Sequence, residues 1–404
     1  MDIEQIRSDF PALSQTVYGK PLIYLDNAAS TQIPQQAVEA MADYMLHSHS
    51  NVHRSVHRLG NEATRLYEGA RAGAASFLNA DEDEVVFTGG TTEAIDLIAR
   101  AAGDTLEAGD IIAATELEHH SNYLPWIRLC ERRGAVFQTI PLDGQGRLDL
   151  ERAQALLRGG RVRLLTVCHV SNVTGVRNPL ETLIAMAKEQ GTPVLVDGAQ
   201  GIRHEAVDVK ALDCDFYCFS AHKLFGPTGV GVLYAKRRWL EAWAPVRLGG
   251  GMVNRFEGDI PVFERPPLRF EAGTPNIAGA VGFQAALAYL TELGLPWIRR
   301  RERQLNRRLA QALERVPGVK LLGPPENRTG MVSFVCEGAS AFDVAVMLDK
   351  LGVAVRSGSH CAVPQMRRLS VLSAVRASPA FYNTEDELEA FARCLRDVLG
   401  VLRR

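Results

Sequence analysis

One lysine in this sequence lies where a fully solvated cation is not expected. Residues 218–234 read CFSAHKLFGPTGVGVLY, so Lys223 stands between an apolar, aromatic run and a glycine-rich turn, just after Ser220 and His222. A surface lysine at the end of a strand is the commoner interpretation. In a closed pocket beside another cation, however, an amine loses solvation, its pKa falls, and it can form a Schiff base.

A carboxylate and an amide precede that lysine. The stretch VLVDGAQ places Asp197 at the end of an apolar run, with Gln200 close behind it. A carboxylate at the end of a buried strand needs a partner, because an unpaired buried charge is strongly destabilising. A protonated ring nitrogen would be such a partner.

Two further segments supply groups for an anion and for a flat ring. FTGGTTEAIDLIARAA predicts a strand, a glycine turn and a helix that begins at Thr91 or Thr92. The free N–H groups and hydroxyls at such a helix start suit a phosphate, although simple helix capping is the alternative. TELEHHSNYLPW places His119 and His120 after another strand, where one ring could stack on an aromatic ligand. The pair lacks metal-ligand spacing, so no metal site is predicted.

These groups are satisfied together by one small molecule. A phosphate, an aromatic ring, a pyridinium nitrogen and an aldehyde would each find a partner among them, and pyridoxal phosphate carries all four. We therefore expect pyridoxal phosphate as the cofactor and Lys223 as its covalent partner.

The elements that must position these residues follow from the hydrophobic pattern. From about residue 85 to 235, short β-branched runs alternate with helical stretches, which predicts an α/β fold with a mainly parallel sheet and helices on both faces. Ligands bind such sheets at the carboxyl ends of the strands. After about residue 290 the pattern predicts a smaller α+β unit. We expect an N-terminal segment (1–20) that packs with the small domain, a large cofactor-binding domain (21–290) and a small C-terminal domain (291–404).

Composition excludes several classes of function. The 404 residues carry 45 Lys and Arg against 47 Asp and Glu, and 46% are hydrophobic, which is typical of a globular protein without a nucleic-acid or membrane partner. No apolar run is long enough to predict a membrane span, and the N-terminus MDIEQIRSDFPAL lacks a secretory pattern. Seven scattered cysteines are typical of a reducing compartment, so we expect a cytoplasmic protein.

The order of the motifs resembles the class V aminotransferase family of fold-type I pyridoxal-phosphate enzymes. Over nearly the whole chain, the sequence is most similar to group II cysteine desulfurases of the SufS/CsdA type. The matching stretches are YLDNAAS, NVHRSVH, GGTTEAI, EHHSNYLPW, SNVTG, VDGAQ, FSAHKLFGPTGVGVLY, RFEAGTPN, VRSGSHCA and VRAS followed by FYNT. The resemblance implies a mainly parallel seven-stranded sheet flanked by helices, with a smaller α+β domain.

The resemblance also implies how the cofactor is held. Lys223 would form the Schiff base, Asp197 would contact the ring nitrogen and Gln200 the ring hydroxyl. His120, the second of the pair, would stack on the ring and handle the proton of the substrate thiol. The remaining contacts would come from Thr91, Thr92, Asn172, Ser220 and His222, with Thr274 contributed by the second subunit of a homodimer.

The same resemblance assigns the substrate side. Asn172 and Arg376 would hold the substrate carboxylate, with Arg356 lining the same entrance, because a guanidinium matches a carboxylate bidentately. Cys361 lies in VRSGSHCAVP, where Gly358 permits an unusual turn and His360 could favour the thiolate. A cysteine in a loop is more often inert, but the family has its persulfide-forming cysteine here.

The function implied is that of a cysteine desulfurase. It would convert L-cysteine to L-alanine, leave a persulfide on Cys361 and supply sulfur for iron–sulfur cluster or other sulfur-containing cofactor assembly. A protein of the SufE/CsdE or SufU type would accept the sulfur. Selenocysteine lyase, with L-selenocysteine as substrate, cysteine sulfinate desulfinase, kynureninase and a non-catalytic assembly scaffold remain alternatives.

Overall fold

The computed structural model describes residues 2–403 of the chain. Its strands, in chain order, are β1 (Thr16–Val17), β2 (Lys20–Pro21), β3 (Ile23–Tyr24), β4 (Val85–Thr88), β5 (Ile111–Thr115), β6 (Val136–Ile140), β7 (Val162–Cys168), β8 (Val194–Asp197), β9 (Phe216–Ser220), β10 (Gly231–Ala235), β11 (Val253–Glu257), β12 (Ile260–Phe263), β13 (Val319–Leu321), β14 (Val332–Cys336), β15 (Val353–Ala354), β16 (Arg356–Gly358) and β17 (Ala374–Ala377).

The α-helices cover both faces of the large sheet and one side of the C-terminal unit. They are α1 (Ile3–Ser8), α2 (Gln35–Asp43), α3 (Arg58–Leu78), α4 (Thr91–Gly103), α5 (Leu124–Arg133), α6 (Leu150–Arg158), α7 (Leu180–Glu189), α8 (Gly201–His204), α9 (Val209–Leu212), α10 (Arg237–Ala242), α11 (Ile277–Leu293), α12 (Leu295–Glu314), α13 (Ala341–Lys350), α14 (Val363–Arg368) and α15 (Glu385–Leu402).

Seven strands form the large sheet, in the order β4-β10-β9-β8-β7-β5-β6. Only β10 runs antiparallel to its neighbours, so the predicted mainly parallel seven-stranded sheet is confirmed. Strands β8 and β9 are buried along their whole length, because helices cover both faces. This explains why they read as continuous apolar runs rather than as alternating patterns.

The parallel register brings separate parts of the sequence to one edge. Cys168 of β7 pairs with Asp197 of β8, and Asp197 pairs with Cys218 of β9. Ser220 ends β9, and the chain then turns through Lys223. The residues predicted to act on a ligand therefore meet at the carboxyl edge of the sheet.

A second sheet lies in the C-terminal part, in the order β13-β14-β17-β16 and wholly antiparallel. Helices α12, α13 and α15 pack on it around a core that includes Leu305, Phe334 and Phe391. In the antiparallel pairing of β16 with β17, Arg356 lies directly opposite Arg376. The predicted boundary between residues 290 and 291 falls inside α11, and the division into domains stays a prediction.

The N-terminal segment contacts both parts of the chain. Arg7 donates to the carbonyl of Tyr382 and to Glu387, which follow β17. Phe10 also packs on the rings of Phe225 and Tyr289, which belong to the large core. This segment therefore packs on the large core and is also linked to α15 of the C-terminal unit through Glu387.

Within residues 2–403, no single helix is long and apolar enough to cross a membrane. Helices α11 and α12 meet the requirements of length and apolar composition only when taken together, and the pair is bent by 82°.

Candidate active site

A cavity of about 350 Å³ lies at the carboxyl edge of the large sheet, between that sheet and the C-terminal unit. Eleven of the thirteen predicted site residues line it: Thr91, Thr92, Asn172, Asp197, Gln200, Ser220, His222, Lys223, Arg356, Cys361 and Arg376. His120 and Thr274 do not. The volume is in the range of pockets that bind cofactors and small substrates.

One end of the cavity is formed by the first turn of α4, which begins at Thr91 as predicted. The Thr91 N–H donates to Ser220 Oγ at 2.8 Å, and the Thr92 and Ser121 hydroxyls lie 2.7 Å apart. Gly231 passes so close beneath Gly90 that a Cβ there would come within 2.4 Å of Gly90 Cα. Backbone N–H groups and hydroxyls thus gather at a helix start, where an anion is stabilised.

Asp197 ends β8 with its side chain at the cavity. It is 5% exposed, and its Oδ1 accepts a hydrogen bond of 2.9 Å from the N–H of Ala199. Burial raises its pKa, while that hydrogen bond and the charge of Lys223 oppose the shift. Among residues 2–403, no lysine, arginine or histidine lies within ion-pair distance of this carboxylate, so it suits a cationic group of a ligand.

Lys223 lines the same cavity, in the short 3₁₀ turn Ala221–Lys223 that follows β9. Within the described residues, its amine takes part in no hydrogen bond or ion pair. Burial lowers the pKa of Lys223 below its usual range, although Asp197 acts in the other direction. A less basic, unpaired amine in a cavity is what a Schiff-base lysine requires.

The structure corrects the predicted choice of histidine, because His119 and not His120 lines the cavity. Burial and then the charge of Lys223 lower the pKa of His119 to about 3, so its ring is neutral at physiological pH. His120 points away, and its Nε2 accepts a hydrogen bond of 3.2 Å from the N–H of Val363.

The buried side chain of Glu118 explains this orientation. It accepts hydrogen bonds from the Thr115 hydroxyl, the Asn122 amide and the Cys168 N–H, and it is fully buried. Successive side chains of extended backbone point in opposite directions, so His119 turns to the cavity when Glu118 turns to the core. Burial raises the pKa of Glu118 to about 8. The alternation in the EHH motif is the signal that could have identified His119.

Cys361 projects into the cavity from the loop after β16. Its side chain is exposed, unlike the other six cysteines, and its φ is 53°. The carbonyl of Cys361 accepts a hydrogen bond of 2.7 Å from the N–H of His120. His120 therefore contacts this loop through both its backbone and its ring, which gives it a structural place near the thiol.

His360 does not supply the positive charge that we expected beside Cys361. Burial and the neighbouring Arg376 lower the pKa of His360 to about 3, so the imidazole is neutral at physiological pH. Its carbonyl accepts a hydrogen bond of 2.7 Å from Asn172 Nδ2, which joins the cysteine loop to the segment after β7.

Two arginines face the cavity from the C-terminal sheet. Arg376 is 4% exposed and donates to the carbonyl of Asn172 at 2.7 Å. Burial lowers the pKa of Arg376 to about 10, so the group keeps its charge. Arg356 forms an ion pair of 2.7 Å with Asp26, a residue that sequence reasoning did not single out. The arginines are placed to bind a carboxylate.

Thr274 lies outside the cavity, in the segment between the short turn Leu268–Phe270 and α11. This segment is anchored by Glu271, which accepts hydrogen bonds from Arg71, Tyr67 and the N–H of Phe87. Arg71 is 1% exposed, so the pair is buried. The contribution of Thr274 to a second subunit stays a prediction.

The comparisons with known proteins agree with this geometry. A model of the family "Aminotransferase class-V" matches residues 23–391. The chain belongs to the class V aminotransferase family. A cysteine desulfurase of Klebsiella pneumoniae is 47% identical over 405 residues, which cover 99% of each chain.

Two solved structures are similar over 99% of both chains. The apo cysteine desulfurase of Thermococcus onnurineus superposes with a TM-score of 0.94 at 39% identity. The Escherichia coli cysteine desulfurase CsdA, in an S-sulfonic acid form, superposes with a TM-score of 0.90 at 37% identity. The predicted fold-type I architecture and the resemblance to group II enzymes are thereby confirmed.

Proposed function

We propose that this protein is a pyridoxal-phosphate-dependent cysteine desulfurase that forms L-alanine and a persulfide on Cys361. The observation that carries the proposal is the arrangement of two nucleophiles: the amine of Lys223 and the exposed thiol of Cys361 line one cavity. The similarity to cysteine desulfurases along the whole chain supports it.

The residues present fit the cofactor. Asp197 is a buried carboxylate that suits the protonated ring nitrogen, and Gln200 lines the cavity nearby. Thr91, Thr92, Ser220 and His222 would hold the phosphate at the start of α4. His119 replaces His120 as the ring that would stack on the cofactor.

When bound, pyridoxal phosphate supplies an electron sink that makes the Cα proton of an amino acid removable. Lys223 would take that proton, because burial lowers the pKa of its amine and its side chain lines the cavity. Arg376 would hold the substrate carboxylate, with Asn172 beside it. The neutral ring of His119 can accept a hydrogen bond from the substrate thiol.

The sulfur step belongs to Cys361. Its thiolate would attack the sulfur of the bound substrate, so that an S–S bond forms while the S–Cβ bond breaks. The electron pair of the broken bond stays with the carbon fragment, which takes up protons and leaves as L-alanine. The substrate sulfur remains on Cys361 as a persulfide.

One experiment tests the whole proposal. The purified protein loaded with pyridoxal phosphate is incubated with L-cysteine, alanine is measured by chromatography, and the peptide with Cys361 is weighed by mass spectrometry. We expect alanine together with a peptide heavier by one sulfur atom. Alanine without any added mass on Cys361 would favour a lyase or desulfinase, and no alanine from L-cysteine, L-selenocysteine or L-cysteine sulfinate would favour a non-catalytic scaffold.

We also propose that the protein works as a homodimer that shares its sites. Exposed apolar side chains on the segment that joins α2 to α3 and on the β11–β12 hairpin support a large interface: Met45, Leu46, Val56, Phe256 and Ile260. Thr274 lies outside the cavity of its own chain, which supports its place in the partner's phosphate site.

Mixed dimers provide the test. Lys223→Ala and Thr274→Ala subunits would each be inactive or weakly active alone. If Thr274 serves the partner, a mixed dimer contains one site with both defects and one intact site, so activity returns on subunit exchange. If Thr274 serves its own chain, no intact site forms and activity stays low. Sedimentation checks the dimer itself.

We further propose that a cytoplasmic protein of the SufE/CsdE or SufU type accepts the sulfur. The exposed position of Cys361 supports transfer to a second protein. We expect alanine release from L-cysteine to rise when such an acceptor is added, and an acceptor that lacks its own cysteine to give no increase. Cell fractionation tests the compartment.

A further inference from the structure

A carboxylate lies between the two arginines at the substrate side of the cavity. Asp26 Oδ2 is 2.7 Å from Arg356 Nη2, and Arg356 Nε donates to Asp26 Oδ1 at 3.4 Å. On its other side, Asp26 Oδ1 is 3.8 Å from Arg376 Nη2. Because Arg356 and Arg376 are partners in the register of β16 and β17, one carboxylate can reach both guanidiniums.

The backbone fixes Asp26 in that place. Asp26 forms a β-bridge with Ser378, and the N–H of Leu25 donates to the carbonyl of Ala354. The N–H groups of Ala29 and Ser30 both donate to the Asp26 carbonyl. With 9% exposure and neighbours held on both sides, the carboxylate has little room to move away when a ligand enters.

The two arginines are used differently. Arg356 is about half exposed and presents two nitrogens to Asp26, so its charge is largely compensated. Arg376 is buried, donates to the Asn172 carbonyl, and among residues 2–403 its Nε has no hydrogen-bond partner. Two guanidiniums and one carboxylate leave a single net positive charge, which matches a single carboxylate of a ligand.

We propose that Asp26 is a specificity-determining residue: by cancelling one arginine charge, it selects amino acids with a neutral side chain, such as L-cysteine, against those with an anionic side chain, such as L-cysteine sulfinate. This inference rests on the proposed function for its substrate. The recognition itself is electrostatic, so it extends to L-alanine and L-aspartate as a neutral and an anionic ligand.

The main test replaces Asp26 by its neutral analogue. For Asp26→Asn, we expect the ratio of kcat/KM for L-cysteine sulfinate to that for L-cysteine to rise about tenfold, because one nearby charge is removed from a partly desolvated site. The affinity for L-aspartate relative to L-alanine, followed by the visible absorption of the bound cofactor, should rise by a similar factor.

Three further variants isolate the charge. Asp26→Glu keeps the charge and should keep the wild-type ratios. Arg356→Gln removes the opposing charge at a half-exposed side chain, so the ratios should move in the opposite direction. Asp104→Asn removes a carboxylate from an exposed pair with Arg133 outside the cavity and should change neither ratio.

The outcomes separate the two proposals. Ratios that stay within a factor of two in both Asp26→Asn and Arg356→Gln, or an equal change for neutral and anionic ligands, would overturn the role of Asp26. If Asp26→Asn does not fold, the Arg356→Gln ratio decides alone. In a further outcome, the wild-type protein forms no alanine from L-cysteine while Asp26→Asn still shows the expected shift in relative affinity for L-aspartate and L-alanine. That result would refute the desulfurase and leave the role of Asp26 supported.

Discussion

The two walls of the cavity are built differently. The wall formed by the large sheet, called here the sheet wall, contains Asp197, Ser220 and Lys223 at or just after the ends of fully buried strands. The wall formed by residues 356–363, called here the loop wall, carries the exposed thiol of Cys361 on a backbone with positive φ at residues 358, 360 and 361.

The difference separates two tasks. Side chains that hold a cofactor bind it more tightly if they are fixed beforehand, because binding then costs little conformational entropy. A thiol that must meet a substrate sulfur and then release it to another molecule needs access to solvent. Hydrogen bonds from Asn172 to His360 and from His120 to Cys361 join the walls, so the loop wall is tethered while the thiol of Cys361 stays exposed.

The largest expected effect comes from breaking the sheet wall at Lys223. Lys223→Ala should lower alanine formation by at least about 10³-fold, because it removes both the covalent partner and the base. Borohydride reduction followed by peptide mapping checks the covalent link in the wild type. Trapping of the cofactor on another lysine would refute the assignment.

Breaking the loop wall at Cys361 should have a selective effect. Cys361→Ala is expected to reduce alanine formation from L-cysteine by about 10²-fold or more, in the range of lost nucleophilic and acid–base groups, while the cofactor spectrum stays that of the wild type. Selenium leaves carbon more readily than sulfur, so activity on L-selenocysteine should fall much less. An equal loss on both substrates would show that Cys361 acts before sulfur transfer or only in folding.

The neighbouring residues His119 and His120 allow a further comparison, because His119 lines the cavity and His120 contacts the loop wall. His119→Ala should lower kcat/KM by about tenfold to 10²-fold and shift the absorption of the bound cofactor, because its ring faces the cavity. His120→Ala loses only the contact with the Val363 N–H, so we expect a smaller decrease and an unchanged spectrum. A spectral shift in the His120 variant alone would show that His120, and not His119, contacts the cofactor.

The smallest expected effect is on stability in acid. Burial lowers the pKa of His169 to about 3, below the unfolded value near 6.5. The contribution of His169 to the free energy of unfolding is therefore fully present above pH 6.5. As the pH falls, this contribution decreases, by roughly 2 kcal/mol at pH 5. Denaturant unfolding at pH 5 and 7 should show a smaller difference for His169→Gln than for the wild type. Glu118, whose pKa is raised, acts in the opposite direction, so only the difference between the two proteins is informative.

Much of the sheet wall could be predicted from the sequence. Asp197, Ser220 and Lys223 stand at the ends of apolar runs, and parallel strands bring such positions to one edge whatever the intervening chain does. The alternation along the EHH motif identifies His119 only when Glu118 is known to be buried, and that burial is seen only in the folded chain.

The loop wall was less predictable because it depends on contacts between distant parts of the chain. Asp26 and Arg356 are separated by 330 positions, and nothing in the sequence around either residue indicates the ion pair. The expected help from a charged His360 was wrong for a related reason, because burial by surrounding elements keeps the ring neutral. Pair interactions of this kind emerge only when the chain is folded.

The exposure of Cys361 has a consequence for handling the protein. The other six cysteines are buried or half-buried, and burial raises the pKa of each of their thiols. The native chain therefore offers alkylating reagents essentially one reactive position, where a fluorophore or spin label could be attached without removing any cysteine. The same position is the one most open to peroxide, so storage in air should inactivate the protein by converting this sulfur to its oxyacids while the core thiols stay reduced.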